Sequence, residues 1–179
     1  MQPRLSKPFD IKLALRKLNF VHQQDPHGIS AGSLTQQAAR VRKFINAKTT
    51  KRYKALVAGP PGTGKAFLGL LYKDSTKSAV YEVDLSKVIS KYIGETEKNL
   101  DRLFVHAEEK DWILFFDEAD ALFGKRTSVK DAHDKYANIE IAYLKQRIES
   151  FSGIVIVAVN NSDDMDGDWK DRFDARVRT

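Results

Sequence analysis

The 179-residue chain contains no cysteine. Disulfide frameworks, cysteine-based zinc sites and thiol nucleophiles are therefore excluded as sources of stability or chemistry. A chain of this length can bury the core of one domain without such cross-links. The absence is also what a reducing cytosol permits, and we expect a cytoplasmic protein.

Long hydrophobic runs are missing as well. The longest apolar stretch, Ile154–Val159, is too short to cross a bilayer. Residues 1–7 contain no apolar core of the kind found in signal peptides. We therefore expect no membrane partner.

Acidic residues are scarce in the N-terminal third of the chain. Residues 1–54 hold 12 Lys and Arg against two Asp and Glu, whereas residues 55–179 hold 18 against 22. A basic segment can bind nucleic acid or another acidic surface. No aromatic residues are interleaved with the basic ones as in a nucleic-acid module, so we favour a solvated helical face over a nucleic-acid partner.

Buried-strand patterns alternate with helical patterns along the chain. Strands are predicted at residues 55–58, 79–83, 112–116 and 154–159. Helices are predicted at residues 11–20, from Ser33 to about Ala47, after Lys65, and at about 98–109 and 133–150. Strands that are apolar throughout and separated by helices indicate an α/β fold with a parallel sheet covered on both faces. We expect an N-terminal helical segment at residues 1–50 and a core domain at residues 51–179.

Residues 59–66 read Gly-Pro-Pro-Gly-Thr-Gly-Lys-Ala and directly follow a predicted strand. Glycines allow successive backbone N–H groups to point into one anion-sized nest, and Lys65 adds a charge for the outer phosphates at the start of a helix. A strand, a glycine-rich loop and a helix in this order predict a nucleotide site, whereas a simple surface turn does not need that order. The residues assigned to cofactor binding are Gly59, Pro60, Pro61, Gly62, Thr63, Gly64, Lys65, Ala66 and Phe67.

The last position of this loop departs from the usual motif. A Ser or Thr normally follows the lysine, and its hydroxyl holds Mg²⁺. The chain has Ala66 there, and a methyl group cannot coordinate a cation that requires oxygen ligands. Phosphate binding can persist without that hydroxyl, but hydrolysis then depends on the other groups of the site.

Polar residues follow two other predicted strands. Asp117 and Glu118 end the run at 112–116, and Asn160 follows the run at 154–159. The carboxyl ends of parallel strands meet at one edge of a sheet, so these groups are expected near the glycine loop. Asp117 suits the role of Mg²⁺ ligand, Glu118 that of a base for attacking water, and Asn160 that of a group that orients the water. An acidic turn after a core strand is the alternative.

These motifs together resemble the AAA clade of the AAA+ ATPases. Residues 84–126 carry most of the likeness, including Tyr-Ile-Gly at 92–94 and Asp-Glu-Ala-Asp-Ala-Leu-Phe-Gly-Lys-Arg at 117–126, and the match spans residues 51–179. The resemblance implies a P-loop NTPase fold, with a parallel sheet flanked by helices on both faces. It corresponds to the large subdomain of the family without its helical lid. Residues 128–138 are similar to those of a bacterial subgroup.

The resemblance also implies roles for individual residues. Gly59, Gly62, Gly64 and Lys65 match the Walker A motif, Asp117 and Glu118 match Walker B, and Asn160 matches sensor 1. Arg172 matches the arginine finger that completes a neighbouring subunit's site. Tyr92, Ile93 and Gly94 match the central-pore loop, although Tyr92 is also compatible with an ordinary half-buried tyrosine. The implied cofactors are ATP and Mg²⁺, and the implied partners are further subunits in a ring, expected to be a hexamer, and a protein substrate.

Two functions remain open from the sequence. One is an ATPase motor that remodels or threads proteins. The other is a nucleotide-binding assembly module with little or no hydrolysis, which Ala66 and the missing lid favour. The Asp-Glu-Ala-Asp sequence at 117–120 also occurs in RNA helicases, but the Pro-Pro-Gly loop and the residues at 121–126 argue against that class.

Overall fold

The computed structural model describes residues 8–19, 31–47, 52–72, 79–123 and 132–179. The described helices are α1 Ile11–Ala14, α2 Ala31–Ala47, α3 Thr63–Tyr72, α4 Leu85–Val88, α5 Glu95–Glu109, α6 Asp120–Phe123, α7 Ala132–Ser150 and α8 Gly167–Lys170. The described strands are β1 Leu15–Lys17, β2 Tyr53–Ala58, β3 Val80–Val83, β4 Ile113–Phe116, β5 Ile154–Val159 and β6 Ala175–Arg178. Residues 128–131, the first part of the segment that resembles a bacterial subgroup, lie outside the described residues.

The six described strands form one sheet in the order β1-β3-β4-β5-β2-β6. All neighbouring pairs are parallel except β1 with β3, which is antiparallel. The α/β fold with a largely parallel sheet is thus confirmed, with an antiparallel edge strand added to it. Parallel strands begin at one edge of the sheet and end at the other, so the segments that follow β2, β3, β4 and β5 start at a common edge.

Alternate residues of the central strands enter two separate hydrophobic cores. Leu56 and Phe116 belong to a core shared with α1, α4, α5, α7 and α8. Val57 and Phe115 belong to a second core, shared with α2 and α3, which includes Phe67. Helices therefore cover both faces, as the apolar strands predicted.

The helix predicted at residues 11–20 is wrong beyond its first turn. Asp10 caps that turn by accepting a hydrogen bond from the backbone N–H of Lys12 at 2.9 Å, and the helix ends at Ala14. The chain then extends along β3, with Arg16 directly opposite Glu82. Pairing with an otherwise exposed sheet edge satisfies backbone groups on both strands, which local helical periodicity does not reveal.

The other predicted elements are present with shifted ends. β5 has the predicted bounds, while α2 begins at Ala31 instead of Ser33 and α5 begins at Glu95 instead of Lys98. No helix within the described residues combines the length and apolar character needed to cross a membrane. The division of the chain at residue 50 stays a prediction.

Candidate nucleotide site

The glycine-rich loop joins β2 to the N-terminus of α3 and is closed by short-range hydrogen bonds. Both the N–H and the hydroxyl of Thr63 donate to the carbonyl of Pro60, at 3.0 and 2.7 Å. Gly59 N–H donates to the carbonyl of Val159 in β5 at 3.1 Å. Gly62 has φ +91°, a conformation that glycine adopts without strain. The loop therefore lies at the positive end of a helix dipole, where an anion is stabilised.

Gly64 fixes the position of α3 against the sheet. A Cβ atom added there would collide with Cβ of Ala158 and lie 2.9 Å from Cζ of Phe115. Both neighbours are buried residues of β4 and β5, so they cannot move aside. Only glycine allows this approach, which carries Lys65 to the edge of the sheet.

The side chain of Lys65 lies between two carboxylates. Its Nζ is 2.7 Å from Oδ2 of Asp117 and 3.4 Å from Oε1 of Glu82. Glu82 also forms an ion pair with Arg16 of β1. Burial lowers the pKa of Lys65, but the hydrogen bond and charge of Asp117, with those of Glu82, outweigh it and hold the pKa above the ordinary lysine value. Lys65 is thus a charged group beside the glycine-rich loop.

Glu118 follows Asp117 with an unusual backbone conformation. Its φ is +49°, and its N–H donates to Oδ1 of Asp117 at 3.1 Å. Its side chain is exposed. A non-glycine residue in this conformation costs on the order of 1 kcal/mol and persists where the surroundings impose it, often at functional sites. Glu118 and Asn160 line the same small cleft beside the glycine loop.

Asp120 ties the ends of β4 and β5 together. Its carboxylate accepts hydrogen bonds from the backbone N–H of Asn160, at 2.9 and 3.0 Å, and from that of Asn161 at 3.2 Å. This role was not predicted from the sequence. The run at 117–120 contains Asp120, but no pattern there indicates a hydrogen bond to the neighbouring strand end.

Arg172 is the predicted site residue that the fold separates from the others. Its guanidinium pairs with Glu149 at 2.6 Å, and nearby Asp174 accepts a hydrogen bond from the N–H of Lys54 at the start of β2. The glycine loop follows the other end of that six-residue strand, about 20 Å away at ~3.3 Å per residue. Within one chain, Arg172 does not reach the Lys65 site.

Residues 92–94 form an exposed connection between α4 and α5. Ile93 is 83% exposed and Tyr92 is 40% exposed, and Ile89 just before them is half exposed. Gly94 caps α5 with φ +75°. Ser90 accepts a hydrogen bond from the N–H of Tyr92 at 3.2 Å and donates one to Glu95 at 2.7 Å. The segment thus presents large apolar side chains on a short turn held by its own polar groups.

The residues beside Lys65 fit Mg²⁺ only in part. Ala66 is buried in the core between α2 and α3, so it contributes no oxygen ligand. In the described ranges, no three His, Cys, Asp or Glu residues are grouped so that they could hold a metal ion by themselves. Mg²⁺ in phosphate-transfer sites commonly uses one or two carboxylates together with phosphate oxygens and water. Asp117 at the end of β4 satisfies that smaller requirement.

The comparison with known proteins, like the geometry of the site, indicates a nucleotide-dependent ATPase domain. Residues 55–179 match the family described as "ATPase family associated with various cellular activities (AAA)". The matched range begins in β2 and contains the glycine loop, the acidic end of β4, Asn160 after β5 and the segment at 92–94. Because the match covers residues 55–179, a chance similarity of the glycine loop alone does not explain it.

Several curated relatives share the same region. The chain is 34% identical to Cell division protein C of Sulfolobus acidocaldarius, over 68% of this chain and 35% of that protein. It is 30% identical to the Probable 26S proteasome regulatory subunit 10B of Caenorhabditis elegans, over 80% and 40%. It is 28% identical to Proteasome-activating nucleotidase 1 of Haloferax volcanii, over 90% and 43%. The chain spans less than half the length of these relatives, and the bacterial subgroup stays a prediction. The chain belongs to the AAA family of ATPases.

Proposed function

We propose that this chain is the ATP-binding core of an AAA+ ATPase that hydrolyses ATP and, within a ring, couples hydrolysis to the remodelling or threading of proteins. The observation that carries the proposal is the position of Lys65. Its Nζ lies 2.7 Å from the Asp117 carboxylate, beside the glycine loop and the N-terminus of α3. A cation, a helix dipole and a carboxylate at one point are the groups that a Mg²⁺–nucleotide polyphosphate requires.

In this proposal, residues 59–65 bind the phosphates. The N–H groups of Gly59 and Thr63 already donate to carbonyl groups of the protein. The other backbone N–H groups of residues 62–65 would bind phosphate oxygens, and Lys65 would neutralise the outer phosphates. Asp117 would hold Mg²⁺ together with water and phosphate oxygens, and the metal would neutralise charge on the transferred phosphoryl group. Ala66 contributes no ligand, so metal binding depends more on Asp117 here than where a hydroxyl follows the lysine.

Hydrolysis requires a positioned water molecule. In the proposal Glu118 accepts its proton, and Asn160 orients it towards the terminal phosphate. Asp120 supports both, because its hydrogen bonds to the N–H groups of Asn160 and Asn161 fix the distance between the two strand ends.

The location of Arg172 supports assembly of the chain into a ring. An arginine that cannot reach the site of its own chain can stabilise transition-state charge only in a neighbouring subunit. A ring in which each subunit presents Arg172 to the next satisfies this requirement, and six subunits are the expected number. Tyr92, Ile93 and Gly94 would then line the central opening and grip an extended polypeptide. Two of the relatives carry proteasome functions in their names, which supports a protein as the substrate.

The second candidate is an assembly module that binds ATP with little or no turnover. Ala66 favours it, because the position that usually supplies a metal-binding hydroxyl is an apolar residue packed in the core. In this case the nucleotide would stabilise the fold and the contacts between subunits, and it would remain bound.

Release of phosphate from ATP separates the two candidates. The chain and its Ala66→Thr variant are compared at high protein concentration in Mg²⁺. Turnover by both supports the motor, whereas turnover by Ala66→Thr alone identifies the present chain as a binding module. Glu118→Gln should lower any turnover by about 100-fold or more while ATP stays bound. Lys65→Ala should abolish ATP binding, and normal ATP binding by that variant would refute the site.

A further inference from the structure

Glu82 is a charged residue at the candidate site to which the sequence motifs assign no role. It lies in β3, and its carboxylate contacts Lys65 on one side and Arg16 on the other. Arg16 and Glu82 are directly opposite each other in the β1–β3 pair. The edge strand that the sequence analysis missed is therefore what brings Arg16 to this position.

The three residues line a single cavity at the carboxyl edge of the sheet. The cavity has a volume of ≈ 630 Å³, and Asp117 and Glu118 are also part of its wall. The Glu82 side chain is 17% exposed, whereas that of Arg16 is 66% exposed. Glu82 is thus held in a partly desolvated wall, where its charge acts on Lys65 more strongly than a surface carboxylate would.

Lys65 cannot donate hydrogen bonds equally to all of its anionic neighbours. An ammonium group has three N–H donors, and Asp117 and Glu82 already engage it. Phosphate oxygens of a nucleotide require the same donors. Asp117 is needed near the phosphates in any case, so Glu82 is the carboxylate whose contact with Lys65 opposes nucleotide binding. Arg16 forms an ion pair with Glu82 and partly neutralises its charge. Glu82 therefore attracts Lys65 less strongly and competes less with the phosphates.

We propose that Glu82 is a positioning residue that competes with nucleotide phosphates for Lys65, and that Arg16 sets the strength of the competition by pairing with Glu82. The inference rests on the proposed ATP site. It makes the edge strand β1 part of the site's electrostatics, since one cross-strand ion pair connects β1 to the phosphate-binding lysine.

The test measures the Kd of a fluorescent ATP analogue with EDTA and, separately, with Mg²⁺. Glu82→Gln keeps the shape and removes the charge, so binding should become about threefold tighter in both conditions, the range of a partly exposed ion pair. Arg16→Gln should weaken binding by a similar factor. Glu109→Gln, on the exposed side of α5, removes the same charge away from the site and should leave Kd unchanged.

A double variant distinguishes an effect of Arg16 through Glu82 from a direct attraction between Arg16 and the nucleotide. If Arg16 acts through Glu82, Arg16→Gln should have no effect on Kd in the Glu82→Gln background. An equal weakening in both backgrounds would mean that Arg16 attracts the nucleotide directly, and it would overturn the proposal. Weaker binding by Glu82→Gln in Mg²⁺ alone would make Glu82 a metal ligand, which also overturns it.

Measurements of melting temperature distinguish a purely structural role of Glu82 from an effect on nucleotide binding. If Glu82→Gln lowers the melting temperature and leaves both Kd values unchanged, the Arg16–Glu82 pair only attaches β1 to the sheet and the inference is wrong. In that case Lys65→Ala would still abolish binding, and the proposed nucleotide site would stand. If neither the wild-type chain nor Glu82→Gln binds the analogue, both proposals fall together.

Discussion

The glycine loop at residues 59–62, with the first turn of α3, and the exposed turn at residues 90–94 both depend on glycine, but for opposite reasons. Gly64 is required because Phe115 and Ala158 leave no space for a Cβ atom. Gly94 has open space around it and is required because its φ of +75° disfavours other residues. One region is shaped by the core beneath it, and the other by its own backbone.

This difference has consequences for what each region can do. A loop wedged against β4 and β5 keeps its N–H groups in place, so little conformational entropy is lost when phosphate binds. The turn at 90–94 is held by Ser90 and carries exposed Tyr92 and Ile93. These exposed side chains are available for the polypeptide contact proposed above.

Gly64→Ala should have the largest effect. Overpacking against buried neighbours costs about 3 kcal/mol at the upper end of the usual range, and the displaced α3 would carry Lys65 out of position. We expect a large fall in the urea midpoint together with loss of ATP binding. Gly32→Ala in α2 has no neighbour within 4 Å and is the matched control, expected to be neutral or stabilising. A Gly64→Ala variant as stable as wild type would contradict the close packing of Gly64 against Phe115 and Ala158.

Gly94→Ala should have an intermediate effect. An alanine forced to positive φ costs about 1 kcal/mol, and the start of α5 would adjust locally. ATP binding should persist, because the change lies outside the core that positions Lys65. Asn tolerates this conformation better than Ala, so Gly94→Asn should recover part of the lost stability in the same urea titration. If Asn is no better than Ala, the positive φ of residue 94 is not what requires glycine there.

Tyr92→Ala should have the smallest effect on the chain itself. The ring is substantially exposed, so the change in unfolding free energy should stay within about 0.5 kcal/mol, and ATP should bind as before. In the ring proposed above, processing of an unfolded reporter protein should be lost. Val105→Ala removes another exposed apolar side chain, on α5, and should leave processing intact. Equal processing by Tyr92→Ala and wild type would refute the pore-loop assignment.

Most of the sheet was predictable, and the reason is its burial. Strands covered on both faces are apolar throughout, so β2, β4 and β5 were recognised as short hydrophobic runs. β1 was not, because Leu15–Lys17 contains two charged residues and gains its stability by pairing with β3. An edge strand of this kind has no pattern of its own, and the local sequence there resembled a continuing helix.

The candidate site divides in a similar way. Lys65, Asp117, Glu118 and Asn160 follow recognisable strands, and their proximity follows from the parallel topology. Glu82 and Arg16 lie in the same cavity but are far apart in sequence, and no motif marks them. Arg172 also follows a recognisable pattern, yet its separation from the glycine loop is apparent only from the direction of β2 and β6.

The sequence alone determined the fold class, the alternation of the central strands with the longer helices and the presence of a glycine-rich loop between a strand and a helix, because these depend on periodicity and on the local needs of glycine, lysine and strand-end carboxylates. Only the tertiary structure decided which strand covers the edge of the sheet and which carboxylates surround Lys65. Those outcomes depend on pairing between residues distant in sequence, such as Arg16 with Glu82, whose energies arise only when the sheet has assembled.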